Sequence, residues 1–276
     1  MNKDLINLQK VELKILKDTA KFCDDNGIEY FLISGTLLGA VRHGGFIPWD
    51  DDIDIGMDLC NYKKFIEVAP RSFSNKYFIQ NFHSETKYPY PWTKIRLNGT
   101  TSMDARMKNL DIHSGVFLDI FLINGMSNNK IYRKLQSILA RSQRILLRKY
   151  YYIDGKTNKP YNKLLYRLLP EPFRVFLIRV FDKIINIDCS KTEFCYNTYS
   201  SNVGEEKQYR SEWFKGLIKM KFVDDYFSVP NEPEKYLEAD YGDWQTPPPE
   251  SERIGHGDII IDLENDYTLY QETTDK

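Results

Sequence analysis

Apolar residues in the first part of the chain recur at Leu8, Val11, Ile15, Leu16, Phe22 and Cys23, with lysine and glutamate between them. That spacing predicts an amphipathic helix over 5–26, which Gly27 is suited to end. Ile28 to Ile33, reading IEYFLI, is a short aromatic-rich run and predicts a buried strand. Ser34-Gly35-Thr36 then predicts a tight turn, Leu37 to Arg42 a short helix, and His43-Gly44-Gly45 its end. Two more strands are predicted, over Ile53–Met57 and over Val116–Ile123, where Asp119 is the one polar residue in VFLDIFLI.

From about Asn129 the spacing changes. Ile131, Leu135, Ile138, Leu139, Ile145 and Leu146 predict one apolar face on a helix over 130–149, with arginines opposite. After Pro170 and Pro172, FRVFLIRVFDKIINI predicts a second apolar and basic helix. The tail contains YLEADYGDWQTPPPE, whose triple proline stops any helix and extends the chain. No internal repeat or low-complexity stretch interrupts this order. It divides the chain into a core over 1–128, a basic helical subdomain over 129–190, and a segment over 191–276 that returns to the core.

Composition narrows the class. The 276 residues are 42% hydrophobic with a net charge of −1, ordinary for a globular protein of one large domain or two small ones. No run of eighteen apolar residues predicts a membrane-spanning helix. The N-terminus, MNKDLINLQKVELKILK, lacks the apolar centre of an export signal. Cys23, Cys60, Cys189 and Cys195 show no CxxC spacing, which suggests reduced thiols in a cytosolic protein, with structural zinc as the alternative. The near-neutral total hides an asymmetry. Residues 130–183 hold fourteen Lys/Arg against three Asp/Glu, leaving the remainder strongly acidic. Such a block suggests an anionic partner. It contains no nucleic-acid motif, so an anionic membrane surface and plain solvation of a packed helical unit are the two accounts, and no nucleic acid is expected.

The chemistry concentrates in WDDDIDIGMD, from Trp49 to Asp58. Strand alternation would put Asp50, Asp52 and Asp54 on one face and Ile53 and Ile55 on the other. Carboxylates so close repel one another, and burial is costly without a cation. A calcium loop of the EF-hand type needs glycine at its sixth position and glutamate at its twelfth. Counted from Asp50, those positions hold Ile55 and Asn61, so that reading fails. A solvated acidic turn accounts for Asp50 and Asp51 but not for Asp52, Asp54 or Asp119, which sit among strand-forming apolar residues. A divalent metal site for phosphoryl or nucleotidyl transfer accounts for all three, with Mg²⁺ or Mn²⁺ held by Asp52, Asp54 and Asp119. Upstream, Ser34, Gly35 and Thr36 open a helix whose backbone N–H groups would face an anion.

A Gly-Ser-type turn, a short helix and Asp-x-Asp on the next strand resemble the nucleotidyltransferase fold, with Thr36 standing where serine is usual. FLISGTLLGAVRHGGFIPWDDDIDIGM, with KIRLNGT, LDIF around Asp119 and YGDWQTPPPE, resembles the LicD family of phosphocholine transferases more specifically. The resemblance covers the N-terminal half and the C-terminal tail, not the basic middle. It implies an α/β (α+β) architecture: a small mixed sheet flanked by helices, with a helical basic insertion. It implies metal-dependent transfer of phosphocholine, or a related phospho-alcohol, from CDP-choline or another CDP-alcohol to a hydroxyl of a cell-surface glycan, with CMP leaving. Fukutin-like relatives use CDP-ribitol. Acceptors of this kind include lipopolysaccharide, teichoic acid and capsule, in some cases lipid-linked. The expected place is therefore the cytoplasm, with peripheral contact at the inner face of the plasma membrane through 130–185.

By the same resemblance Asp119 would take the acceptor proton, with Asp50 as the alternative base. Arg42 and Lys94 would contact phosphate. Arg96 would either do so or form a surface ion pair, and His256, in a His-Gly turn, is a further candidate. Trp49, with Tyr88, Tyr90, Trp92, Tyr241 and Trp244, could supply aromatic faces for a quaternary ammonium. The competing enzyme class is a glycosyltransferase that holds a nucleotide sugar through Asp-x-Asp. The Gly-Thr turn ahead of that pair argues against it.

Overall fold

The N-terminal amphipathic stretch folds as helix α1 (Lys3–Asp25), which buries Leu8, Ile15, Leu16 and Cys23 and ends at Gly27, whose φ is 60°. The structure, a computed structural model, describes residues 3–73, 75–151, 160–198, 207–253, 255, 257 and 259–271. Strand β1 is only Phe31–Leu32, shorter than the apolar run suggests. Its partner, β2 (Asp54–Asp58), pairs with just those two residues, and the chain then turns directly into α2 (Ser34–His43). The expected turn at Ser34-Gly35-Thr36 is thus the first turn of that helix, with Ser34 at a φ of 48°. Helix α3 (Leu59–Ser72) follows, its N–H groups capped by the Asp58 side chain through Asn61.

Strands β3 (Tyr77–Gln80), β4 (Thr93–Leu97), β5 (Thr101–Asp104) and β6 (Phe117–Gly125) complete the first half. Every residue of β6 after Phe117 is buried, as a central strand covered on both faces requires. Among the described residues, β6 runs parallel to β2 and antiparallel to β4, so the sheet is mixed, in the order β1-β2-β6-β4-β3. Strand β7 (Phe194–Asn197) pairs with the far end of β6, and β8 (Tyr209–Arg210) pairs with β7.

The basic middle forms α4 (Lys130–Leu147), α5 (Pro160–Leu168) and α6 (Glu171–Ile185), with Pro172 in the first turn of α6 where its missing N–H costs nothing. Two features here bear on the two accounts of this block. First, the apolar stripe of α4 is divided: Ile131, Leu135 and Ile138 are exposed and Leu146 is buried, while Gln136, Ser137 and Gln143 are buried as well. The reason is hydrogen bonding. Gln136 donates to the carbonyls of Gly125 and Ile185 and accepts from the Ser127 N–H, satisfying loop backbone that would otherwise be orphaned. Second, the arginines are not all solvated. Arg174 is fully buried, donating to the Leu146 and Thr86 carbonyls and paired with Glu171, and so fixes α6 to α4 and to the core.

A hairpin of β9 (Ile218–Phe222) and β10 (Asp225–Val229) leads to α7 (Pro233–Tyr241), which packs on α2. Strand β11 (Ile259–Asp262) pairs antiparallel with β5. The four cysteines are free thiols, and none of the described helices is long and apolar enough to cross a membrane.

Candidate active site

Strand register builds the site. Asp54 on β2 lies beside Asp119 on β6, Asp119 lies beside Lys94 on β4, and Lys94 lies beside Gln80 on β3. Neighbours in register point to the same face, so four strands present one polar row on one face of the sheet. Lys94 donates to both oxygens of Asp119, at 2.6 and 2.8 Å, and both side chains are buried. Oxygens of Asp52, Asp54 and Asp119 lie within 4.8 Å of one another.

The expected alternation of Asp50, Asp52 and Asp54 along one strand does not hold, because β2 begins only at Asp54. Asp50, Asp51 and Asp52 sit in the preceding loop, again with oxygens within 4.8 Å of one another. Two glycines make room for them. A Cβ on Gly35 would lie 2.8 Å from an Asp50 oxygen, and one on Gly255 would lie 2.6 Å from an Asp51 oxygen. Asp50 therefore lies against the first turn of α2, and Asp51 against the returning C-terminal segment.

A cavity of about 570 Å³ opens over the row. Of the residues singled out in the sequence, Ser34, Gly35, Asp52, Asp54, Lys94, Arg96 and Asp119 line it. The α2 N-terminus faces it without a side-chain cap, since its N-cap residue is Ile33. The Thr36 hydroxyl instead accepts from the Asp54 N–H at 2.8 Å, which ties the helix to the aspartate strand. Arg96 is buried and spends its donors on Gln80, Ser102 and Gly115, so it stiffens the cavity floor. Arg42 is absent from the described lining and donates to the Trp244 carbonyl at 2.7 Å. Trp49 is also absent from the lining and lies beneath the Arg253 guanidinium, 5.1 Å from the ring centre. His256 lies outside the described residues. Of the aromatic candidates, Tyr90, Trp92 and Tyr241 reach the cavity, whereas Tyr88 is enclosed in the core.

Several lining residues carry no sequence signal. Arg106, Arg148 and Lys207 line the walls, Arg106 paired with Asp104 at 2.6 Å, and Asp240 accepts from Tyr209 at 2.9 Å while pairing with Lys207 at 2.8 Å. Beneath the aspartate loop lies Glu12 of α1, 1% exposed, whose neighbour Gln9 donates to the Asp50 carbonyl at 2.9 Å. One signal could have found it: Glu12 falls on the same helical face as Leu8, Ile15 and Leu16, where a solvated glutamate does not belong.

The electrostatics fit a cation. Burial, then repulsion from Asp52, Asp119 and Asp50, holds the Asp54 carboxyl well above its ordinary range. Burial and then Asp52, Asp51 and Asp50 do the same to Glu12. Burial pushes the Lys94 ammonium down against the opposing pull of Asp119. The Oδ1 of Asp54 and the Oε2 of Glu12 are buried with no hydrogen-bond partner. A set of hard oxygen donors, some of them orphaned, suits a divalent ion such as Mg²⁺ or Mn²⁺.

Residues 27–143 match the profile of the LicD/FKTN/FKRP nucleotidyltransferase domain. The lipopolysaccharide cholinephosphotransferase LicD of Haemophilus influenzae is 29% identical over 254 residues, which cover 90% of this chain and 94% of that protein. The chain is thus similar to the LicD family over 27–143 and to one of its transferases over most of its length. Shorter similarities reach the human ribitol 5-phosphate transferase FKRP, 45% identical over 51 residues (17% of this chain, 10% of that protein). They also reach the yeast mannosyltransferase regulator 4, 30% identical over 114 residues (38% of this chain, 9% of that protein). The LicD domain match contains the aspartates, Lys94 and Arg96 but stops before Arg148, Lys207, Asp240 and Tyr241. Those four come from the end of α4 and from the C-terminal part of the chain, and they add to the walls of a cavity whose floor lies within the matched segment.

Proposed function

We propose that the protein transfers a phospho-alcohol from a CDP-activated donor to a glycan hydroxyl and releases CMP. The observation that carries this reading is the in-register row of Asp54, Asp119 and Lys94, with Asp52 beside it, at the floor of a cavity that Arg106, Arg148 and Lys207 also line. Asp52, Asp54 and Asp119 would hold a divalent metal, which when bound neutralises charge on the donor's diphosphate. Lys94 meets the phosphates from β4, and the α2 N-terminus at Ser34 and Gly35 offers backbone N–H groups to an anionic oxygen. Arg106, Arg148 and Lys207 steer the anionic donor into the cleft. Asp119 takes the proton of the attacking hydroxyl, with Asp50 of the preceding aspartate loop as the alternative.

Phosphocholine is the cargo the reading favours. Similarity to the Haemophilus cholinephosphotransferase runs over nearly the whole chain, and Tyr90, Trp92 and Tyr241 give the cavity faces that suit a quaternary ammonium. The acceptor would be a surface glycan such as lipopolysaccharide, modified in the cytoplasm, where activated donors are made.

A thermal-shift panel of CDP-choline, CDP-ethanolamine, CDP-glycerol and CDP-ribitol with Mg²⁺ or Mn²⁺ tests it. A donor at a hundred times its Kd stabilises the fold by about 2.7 kcal/mol, and Asp54→Asn should abolish the metal-dependent shift. The same variant should lower CMP release by about a hundredfold or more, because metal stabilisation is worth several kcal/mol. A shift by UDP-sugars and none by CDP-alcohols would replace this reading with a glycosyltransferase.

A further inference from the structure

The surface of the basic helices is unlike the rest of the molecule. Of fifteen large apolar side chains exposed among the described residues, nine fall between 131 and 176, so the exposure is segregated rather than scattered. On α4, Ile131 is 82% exposed, Leu135 41% and Ile138 50%, at the i, i+4, i+7 spacing of one helical stripe. Lys130, Lys134 and Arg141 run exposed along one side of that stripe. Helix α5 adds Leu164 and Leu168, and α6 adds Phe173 and Phe176 with Arg179 following. The two described acidic residues of this region are both paired. Glu171 pairs with Lys149 and Arg174, and Asp182 accepts from Gln143.

We propose that the exposed side of α4 docks on an anionic lipid bilayer, with its apolar stripe entering the headgroup layer and its lysines and arginine lying on the lipid phosphates. Apolar residues flanked by basic ones on a helix parallel to the surface are what interfacial binding requires. Charge decides the occupant. A second copy of this chain would bring two strongly basic faces together, whereas an anionic surface neutralises one. The inward side of α4 is fixed by Gln136 and Gln143, so the stripe does not turn inward to hide. Helix α4 is eighteen residues long, about 27 Å, and Arg148, just beyond its C-terminal end, lines the catalytic cavity. A bilayer under α4 would thus hold a lipid-linked glycan within reach of the cleft. That consequence rests on the function proposed above, but the docking itself does not.

The test is flotation of the full chain with vesicles of phosphatidylcholine alone and of phosphatidylcholine mixed with phosphatidylglycerol. Binding is expected only to the mixed vesicles, weakening as salt rises. Replacing Ile131→Ser, Leu135→Ser and Ile138→Ser together should reduce it at least tenfold with the melting temperature and the donor-induced thermal shift unchanged. Replacing Lys130→Gln, Lys134→Gln and Arg141→Gln should reduce it about a hundredfold at low salt. No flotation with anionic vesicles overturns the proposal, as does undiminished binding by the serine variant. A dimer in light scattering that the serine variant dissolves would reassign the face to a second copy. A donor shift that survives failed flotation leaves the transferase reading standing, and flotation without any donor shift does the reverse.

Discussion

Glu12 and Asp54 are carboxyls that burial and neighbouring aspartates hold well above their ordinary range, and each has an oxygen with no partner. A raised carboxyl binds its proton more tightly in the folded chain. It therefore adds stability below its unfolded value, near 4.5 for Glu12, and that stability is lost as the pH rises through the folded value. Other carboxyls run the opposite way; Glu171, held near 2 against burial by Arg174 and Lys149, loses its contribution only in strong acid. The informative quantity is thus a difference between two proteins. With chelator present, Glu12→Gln should gain on the wild type in urea midpoint as the pH climbs from about 4.5 past neutrality. Mg²⁺ should narrow that gap by neutralising the aspartates that repel Glu12. A gap that stays constant with pH would mean that Glu12 does not feel the cluster.

Helix α4 shows where apolar spacing gives a helix but not its orientation. The stretch over 130–149 is helical almost as the pattern predicts, yet its apolar stripe is split, exposed at Ile131, Leu135 and Ile138 and buried at Leu146. Periodicity records which residues share a face, and it is silent on whether buried backbone nearby demands a polar partner. Gln136→Leu is therefore expected to destabilise although it adds apolar surface, by about 1–3 kcal/mol, because the Ser127 N–H and the Gly125 and Ile185 carbonyls lose their partner. Ile138→Ser, at a half-exposed position, should stay within about 0.5 kcal/mol. Urea unfolding of the two variants compares them directly, and a reversed order would restore the inward-facing stripe. The same limit explains the aspartate loop. Asp54 and Asp119 stand out because each interrupts an apolar stretch, and Asp52 because it stands two residues before Asp54, whereas the grouping of Asp50 to Asp52 depends on close approach of Gly35 and Gly255, which spacing alone does not encode.

Across the whole chain, the C-terminal third returns to the half that carries the aspartates at several points. Strand β11 pairs with β5, Gly255 packs on Asp51, Gln271 donates to the Leu110 and Ile112 carbonyls, and Arg42 holds the Trp244 carbonyl at 2.7 Å. Contacts between residues two hundred positions apart leave no trace in local pattern, and for that reason Asp240, Lys207 and the true partner of Arg42 were not legible. Arg42 separates two accounts of the tail. If its guanidinium serves to pin Trp244, Arg42→Ala should cost about 1 kcal/mol of stability and speed proteolytic cleavage across 241–253. The KM for donor should then rise through a loosened Tyr241 wall, with kcat less affected. If instead Arg42 contacts a donor phosphate, protection of the tail should be unchanged while donor affinity falls and becomes less sensitive to salt. Arg42→Lys divides the two further. A lysine retains the charge a phosphate needs, but its single ammonium cannot reproduce the directed guanidinium bond to the Trp244 carbonyl, so the pinning account expects it to behave like the alanine variant.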